Sequence, residues 1–424
     1  MKKTVLRFMI CIMFIFTNLV IPLSLWAQPI LETGGKNPMP NEWIDKDTHH
    51  KVICLSRLDG NSLGFYFHND PFLKQTADEG DRMVFYNTGK NGKQCYTVNL
   101  KTFETVQITD QNMLIKGEIV GHISHNVYFQ KNDSVFASNI DTKKSKLIFV
   151  FPADFKGNIT TLNADETLLA GGQSADEQKE ISKKYPEKKD FFNRIFDAHI
   201  LNQLFTINIS TGELKKIHKE NTWLGHIQFS PTLPNLLMFC HEGPWHKVDR
   251  IWTIDVKSGL VQLRHKRSME GEIAGHEFPS PDGKTIWFDN QVPRSENFFL
   301  TGTDLKDNSE KRYRLTRDEW SIHFNVSYDQ KLFAGDGGNE GQVAKAKDGM
   351  WIYLFRPNGD HFDTERLVNM KHHLYTKAEA KDEKDLGLEP NVHFSPSGKW
   401  IVFSANFEGR PKVYAVEIAK SIQK

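Results

Sequence analysis

The sequence predicts an all-β fold, and three observations carry the prediction. From Lys51 onward, short runs of β-branched and aromatic residues alternate with turn clusters, among them Val52-Ile-Cys-Leu, Gly64-Phe-Tyr-Phe-His68, Met83-Val-Phe-Tyr and Cys95-Tyr-Thr-Val-Asn-Leu, the texture of strands joined as hairpins. A pattern of apolar residue, Ser, turn, Lys or Asn and apolar triplet then recurs. It reads Phe229-Ser-Pro-Thr-Leu-Pro-Asn-Leu-Leu-Met-Phe, Phe278-Pro-Ser-Pro-Asp-Gly-Lys-Thr-Ile-Trp-Phe, Val326-Ser-Tyr-Asp-Gln-Lys-Leu-Phe-Ala and Phe394-Ser-Pro-Ser-Gly-Lys-Trp-Ile-Val-Phe, with a fainter copy at Leu162-Asn-Ala-Asp-Glu-Thr-Leu-Leu-Ala. The equivalent Ser positions lie 50, 47 and 68 residues apart, and a period of ~40–50 residues with four strands per unit marks a β-propeller.

Units fall near 81–110, 120–150, 158–218, 226–264, 275–315 and 323–370, with a last one combining 392–418 and the N-terminal strands of 51–68. This counts seven blades, although the spacing also admits six or eight. Pairing of N- and C-terminal strands closes the ring and removes its exposed sheet edges.

Before the first blade, Lys2 and Lys3 precede an apolar run from Val5 to Trp26, interrupted by Pro22 and closed by Ala27. Residues 1–27 read as a secretory signal peptide cleaved near Ala27, giving a secreted or periplasmic protein with no membrane insertion after cleavage. An uncleaved anchor is the rival reading, since the run approaches spanning length. Residues 28–44 form an irregular N-terminal arm, and 45–420 the propeller domain. Two charged, helix-compatible stretches near 174–202 and 371–388 break the pattern and read as insertions on one face of the ring.

The chain has 424 residues, of which 39% are hydrophobic and 25% charged, and 54 Lys and Arg against 53 Asp and Glu leave a net charge of +1. That balance argues against nucleic acid or an acidic membrane surface as partner. Cys54, Cys95 and Cys240 remain in the mature chain. Three thiols allow one bridge at most, and their apolar neighbours favour buried free thiols.

One stretch concentrates chemistry. The run Leu236-Leu-Met-Phe-Cys-His241 ends in Glu242-Gly243-Pro244-Trp245 and returns through Asp249 and Arg250 into Ile251-Trp-Thr-Ile. Two adjacent strands therefore display titratable groups where turns ordinarily use Gly, Asn, Asp and Pro. Histidines recur at one phase of the repeat: His226, His276 and His323, with Glu389-Pro390-Asn391 at the same place in the last blade. Matched phase puts them around a common axis, where imidazole and carboxylate or amide oxygen suit a divalent cation such as Mn²⁺ and a free imidazole suits proton abstraction. As single residues they also read as strand caps bonded to the next blade. The Gly-x-Ser-x-Gly match at Gly60-Asn61-Ser62-Leu63-Gly64 has no downstream α/β half to make it a nucleophile elbow, and no phosphate-cradling glycine loop occurs, which argues against a serine hydrolase and a nucleotide enzyme.

The motifs Trp223-Leu-Gly-His226, Phe239-Cys-His241-Glu242-Gly243-Pro244 with Arg250-Ile-Trp252, His276-Glu277-Phe278 and Tyr66-Phe-His68-Asn69-Asp70-Pro71-Phe72 resemble those of the oligogalacturonate lyases, seven-bladed propeller enzymes of pectin breakdown. The resemblance runs from roughly residue 45 to 418. It implies β-elimination of short 4-linked galacturonate oligosaccharides, with His276 as the base and Arg250 as a substrate-facing arginine. It also implies a divalent metal, Mn²⁺ first, with His323 among its ligands. The other ligands of that family come from a Gln-x-x-His-x-His segment, which here reads Leu386, Glu389 and Asn391. Oxygen donors in place of imidazoles make the expected site harder, admitting Ca²⁺ or Mg²⁺, or alter the substrate. His226, His241 and Glu242 are expected to bind the oligogalacturonide. Because His276 must be neutral, activity is expected to fall at acid pH. A lyase for another uronate oligosaccharide and a non-catalytic propeller that binds sugars or proteins are the competing readings. The resembled family is cytoplasmic as a rule, so a signal peptide is a second departure from it.

Overall fold

The computed structural model describes residues 28–90, 92–110, 115–339, 342–375 and 387–421. The expected signal peptide and Leu386 lie outside them, as does most of the second expected insertion. Among the described residues nearly all strand pairings are antiparallel. Alternating apolar residues at strand spacing make each strand amphipathic or fully buried, and short turns close the hairpins.

Residues 61–107 form one sheet, in which Asn61–Leu63, Arg82–Gly89, Gly92–Asn99 and Thr105–Gln107 pair in order. Four-stranded sheets follow over 116–150, 158–220 and 224–263. An eight-stranded sheet spans 273–369, and its two antiparallel halves, 273–315 and 324–369, join through one parallel pairing of Arg314 with His361. The last sheet combines His393–Phe394, Trp400–Ala405 and Lys412–Lys420 with His50–Cys54, in the register Val52 to Val416 and Cys54 to Tyr414.

Two details differ from the expectation. The arm over 28–44 is not irregular: Ile30–Leu31 runs parallel to Glu42–Asp45, which pairs with His50–Cys54. Trp43 accounts for this, being fully buried against Tyr414 with its indole N–H donated to Thr33. The strand Asn61–Leu63 belongs to the first sheet, not the last, because it pairs with Tyr86–Thr88.

The first strands of adjacent sheets bond to one another directly. Thr160 Oγ1 donates to the Ile227 carbonyl, Gln228 Nε2 to the Glu277 carbonyl and Phe394 N to Asn325 Oδ1. Apolar clusters fill the spaces between sheets, the largest around Phe67, Phe324, Phe355, Phe394 and Tyr414. Cys54, Cys95 and Cys240 are free and buried, as expected.

Helices α1 (Asp176–Lys184) and α2 (Lys188–Asp197) occupy the first expected insertion. They leave the sheet intact, since the flanking residues Ser174 and Asn202 are still paired. Among the described residues no helix is long and apolar enough to cross a membrane.

Candidate active site

The same backbone device recurs on the first strands. His226, His276 and Asn391 each stand four residues before the Ser of their repeat, with φ of 46°, 51° and 55°. Positive φ is costly for a residue with a Cβ. At the two histidines it coincides with a break in register, between Gly225 and Gln228 and between Gly275 and Phe278. A bulge of this kind turns one side chain away from the pleat. Both imidazoles are thereby gathered into one cluster, their ring centroids 6.5 Å apart. His323, at the same phase of its own repeat, lies 4.9 Å from His276.

The middle of this cluster is filled by a segment to which sequence reasoning assigned no role. Tyr66 to Asn69 threads among the sheets and is pinned by four residues from three of them. Glu118 Oε2 accepts from Tyr66 N at 2.6 Å, Asn391 Oδ1 accepts from Phe67 N at 3.1 Å, and Asn325 Nδ2 donates to the Phe67 carbonyl at 3.2 Å. His393 Nε2 reaches the carbonyls of Tyr66 and Asn69 at 3.2 and 3.1 Å, so that nitrogen carries its proton. The Tyr66 ring meets His68, His226 and His323 at 5.0, 6.0 and 5.2 Å, while Phe67 stacks on His323 at 4.7 Å. Burial, then the neighbouring His226, pulls the pKa of His68 down to about 3, so it is neutral. Behind this segment, toward the far ends of the first strands, lies a cavity of about 470 Å³ walled by Phe67, His68, Gln228 and Phe394.

Arg250 is 1% exposed and Glu277 0%. Arg250 Nε donates to Glu277 Oε2 at 2.9 Å and Nη1 to Glu242 Oε1, while Nη2 makes no hydrogen bond. Trp245 lies 5.2 Å from the guanidinium carbon and 5.2 Å from the His276 ring. Glu277 Oε1 is also 3.4 Å from His226 Nδ1. One buried carboxylate therefore bridges the arginine and an imidazole. Arg250 is closed to solvent: its buried charge is offset by two acids, and Nη2 is the guanidinium nitrogen left without a hydrogen bond.

His241 is not brought into the cluster. Successive residues of a strand point to opposite faces, so Glu242 reaches Arg250 while His241 stacks on Trp252 at 4.8 Å and meets Glu220 at 3.1 Å. Burial there pulls its pKa below the ordinary value.

The metal-ligand expectation falls on His323, Glu389 and Asn391. His323 is fully buried, its Nδ1 is held by Asp336 at 2.7 Å, and its Nε2 has no hydrogen-bond partner. Glu389 Oε2 lies 3.7 Å from that nitrogen, too far for a hydrogen bond and spaced as two ligands of one cation are. Asn391 is partly committed, since Oδ1 accepts from Phe67 and Nδ2 donates to the Glu389 carbonyl at 3.0 Å, although a carbonyl oxygen keeps a second lone pair. Among the described residues no group of three His, Cys, Asp or Glu side chains gathers to hold a metal. The donors that stand at a spacing to fit one cation are His323 Nε2 and Glu389 Oε2, with the remaining lone pair of Asn391 Oδ1 as the further oxygen this segment offers. Burial opposes a proton on His323, but Asp336 and Glu389 hold its pKa above the ordinary value.

Helix α2 roofs the other side of the site. Phe192 meets Trp223 at 5.4 Å, and Phe196 lies against Gly243, where a Cβ would collide with its ring. Sequence reasoning missed this contact, together with Tyr66, His68, Trp245, Glu277 and Asp336. Three short motifs contain most of them, but no spacing rule says which residue of a motif faces inward.

A family model described as oligogalacturonate lyase matches residues 40–422. The chain is 27% identical over 391 residues to the oligogalacturonate lyase of Dickeya dadantii, covering 89% of this chain and 96% of that protein. It is 26% identical over 404 residues to the oligogalacturonide lyase of Pectobacterium atrosepticum, covering 92% and 99%. Among solved structures it is similar to an oligogalacturonate lyase of Vibrio parahaemolyticus, with TM-score 0.75 at 21% identity over 90% of this chain and 97% of that one. An oligogalacturonate lyase in complex with manganese gives TM-score 0.74 at 24% identity, with the same coverage.

Proposed function

Because the chain belongs to the oligogalacturonate lyase family, we propose that it cleaves short 4-linked galacturonate oligosaccharides by β-elimination, giving 4,5-unsaturated products. The observation that carries this reading is His276, an imidazole held at φ 51° beside Trp245 and within 6.5 Å of His226 and His323. The C5 proton of a uronate is acidified by its neighbouring carboxylate, and His276 removes it. Negative charge then spreads toward the carboxylate, where the buried Arg250 guanidinium supplies a fixed positive charge. Glu242 and Glu277 hold that guanidinium in place, and His226 and Glu242 flank the sugar. His241, stacked on Trp252, supports this wall from behind. A divalent cation, Mn²⁺ before Ca²⁺ or Mg²⁺, would rest on His323, Glu389 and Asn391, and when bound it supplies Lewis-acid stabilisation of the same developing charge.

We read the sheets as seven blades of one propeller over 45–420, with the eight-stranded sheet counted as two blades and the pairing of His50–Cys54 with Lys412–Lys420 as the closure. Bonds between first strands of adjacent sheets support the ring. The helical pair is an insertion on it. The leader at residues 1–27 supports export, hence a secreted or periplasmic enzyme. Replacement of two imidazoles by Glu389 and Asn391 favours, as a second reading, a lyase for another uronate oligosaccharide.

Ultraviolet absorbance of the mature protein with digalacturonate and trigalacturonate tests the proposal. Absorbance should grow with the wild type and fall at least ~100-fold with His276→Ala, the scale of lost general-base catalysis. A folded wild type that produces no absorbance would exclude galacturonate as substrate.

A further inference from the structure

We propose that His226 protonates the leaving oxygen, so that His226 and His276 form an acid and base pair across the scissile C4–O bond; this rests on the lyase reading above. Two neighbouring first strands spend the same unfavourable backbone conformation, φ 46° and φ 51° at matching breaks of register, on bringing these two rings together. The centroid separation is 6.5 Å. Two groups that reach opposite faces of one carbon–carbon bond at hydrogen-bond distance stand about 7 Å apart. In 4-linked galacturonate the C5 hydrogen and the C4 oxygen are both axial and anti to each other, so elimination needs such a pair and not one group acting twice from one side.

The surroundings of the two rings differ in the direction the roles require. His226 Nδ1 faces the fully buried Glu277 carboxylate at 3.4 Å, which orients the ring and balances a proton carried on it. His276 has Trp245, Phe67 and the His226 and His323 rings around it. The step balances as follows. The C5 proton passes to His276, its electron pair becomes the new C4–C5 double bond, the C4–O bond breaks, and the leaving oxygen takes the proton of His226. Proton exchange with water restores both rings.

The test uses two substrates and a proton-exchange readout. Digalacturonate has a sugar hydroxyl as leaving group and needs a proton, whereas a 4-deoxy-4-fluoro galacturonate expels fluoride and needs none. His226→Asn is the first variant, since Asn tolerates positive φ, and His226→Gln is the second, each checked for a wild-type melting profile. The expected result is a loss of about 100-fold or more in kcat on digalacturonate, a loss of fluoride release at least about tenfold smaller than that, and retained exchange of the C5 hydrogen in D₂O. His276→Gln should lose all three. Equal losses on both substrates, or no loss on either, would overturn the assignment. So would the selective pattern appearing with Tyr66→Phe in place of the His226 variants. A wild type inactive on both substrates overturns the lyase reading itself and the acid role with it.

Discussion

Replacing Glu277 should be far more damaging than its single position suggests. Its carboxylate is fully buried, accepts from Arg250 Nε at 2.9 Å and lies 3.4 Å from His226 Nδ1. Glu277→Gln keeps the shape but leaves a guanidinium that is 1% exposed with Glu242 as its one anionic partner. Breaking a buried ion pair by removing one member costs about 3–5 kcal/mol, because the remaining charge has lost both water and partner. Glu242→Gln removes the partner nearer the surface, where water enters more readily, and should cost about 1.5–3 kcal/mol, the range of a charge-assisted hydrogen bond. Replacing both members of the first pair, as Arg250→Met with Glu277→Leu, should cost less than the two single changes summed, by up to about 3 kcal/mol. Urea unfolding followed by tryptophan fluorescence, for the singles and the double, measures each value. A Glu277→Gln cost below about 1 kcal/mol, or additive singles, would mean that the buried arginine does not depend on this carboxylate.

Asp289, buried and accepting from the Trp320 indole at 2.8 Å, has its pKa pushed up to about 7 by burial. Its unfolded value is near 3.9, so between about pH 4 and 7 the folded state holds the extra proton. Its contribution is therefore present at low pH and lost as pH rises through 7, by at most about 4 kcal/mol; the wild-type melting temperature should fall across that window relative to Asp289→Asn, and parallel curves would contradict the assignment. Gly243→Ala should destabilise by about 2–3 kcal/mol through the collision with Phe196 and the strained φ of 147°, and Phe196→Ala should recover part of that loss in thermal melts. If His323, Glu389 and Asn391 hold a cation, chelator should lower the melting temperature and Mn²⁺ restore it, with the shift absent in Glu389→Gln; an unchanged melt in wild type would remove the cation from the site.

Much of this protein was legible in its sequence because sheet proteins write themselves locally. The recurring Ser turns with their apolar triplets mark hairpins by nearest-neighbour chemistry, and the phase of His226, His276 and His323 within the repeat follows from the same periodicity. What lay beyond it are contacts between residues far apart in the chain. Nothing local says that Tyr66 and Phe67 enter the cluster and are pinned by Glu118, Asn325 and Asn391, since those bonds span 52 to 324 residues. Nor does the sequence say that Glu242 turns to Arg250 while His241 turns away, because the face a strand residue takes depends on which side of its sheet is covered. The strands and the shared phase of the three histidines were thus set by local sequence. Their convergence, the burial of Arg250 between two acids and the seating of α2 on Gly243 were decided only when the sheets packed, because each needs a partner the chain supplies from elsewhere.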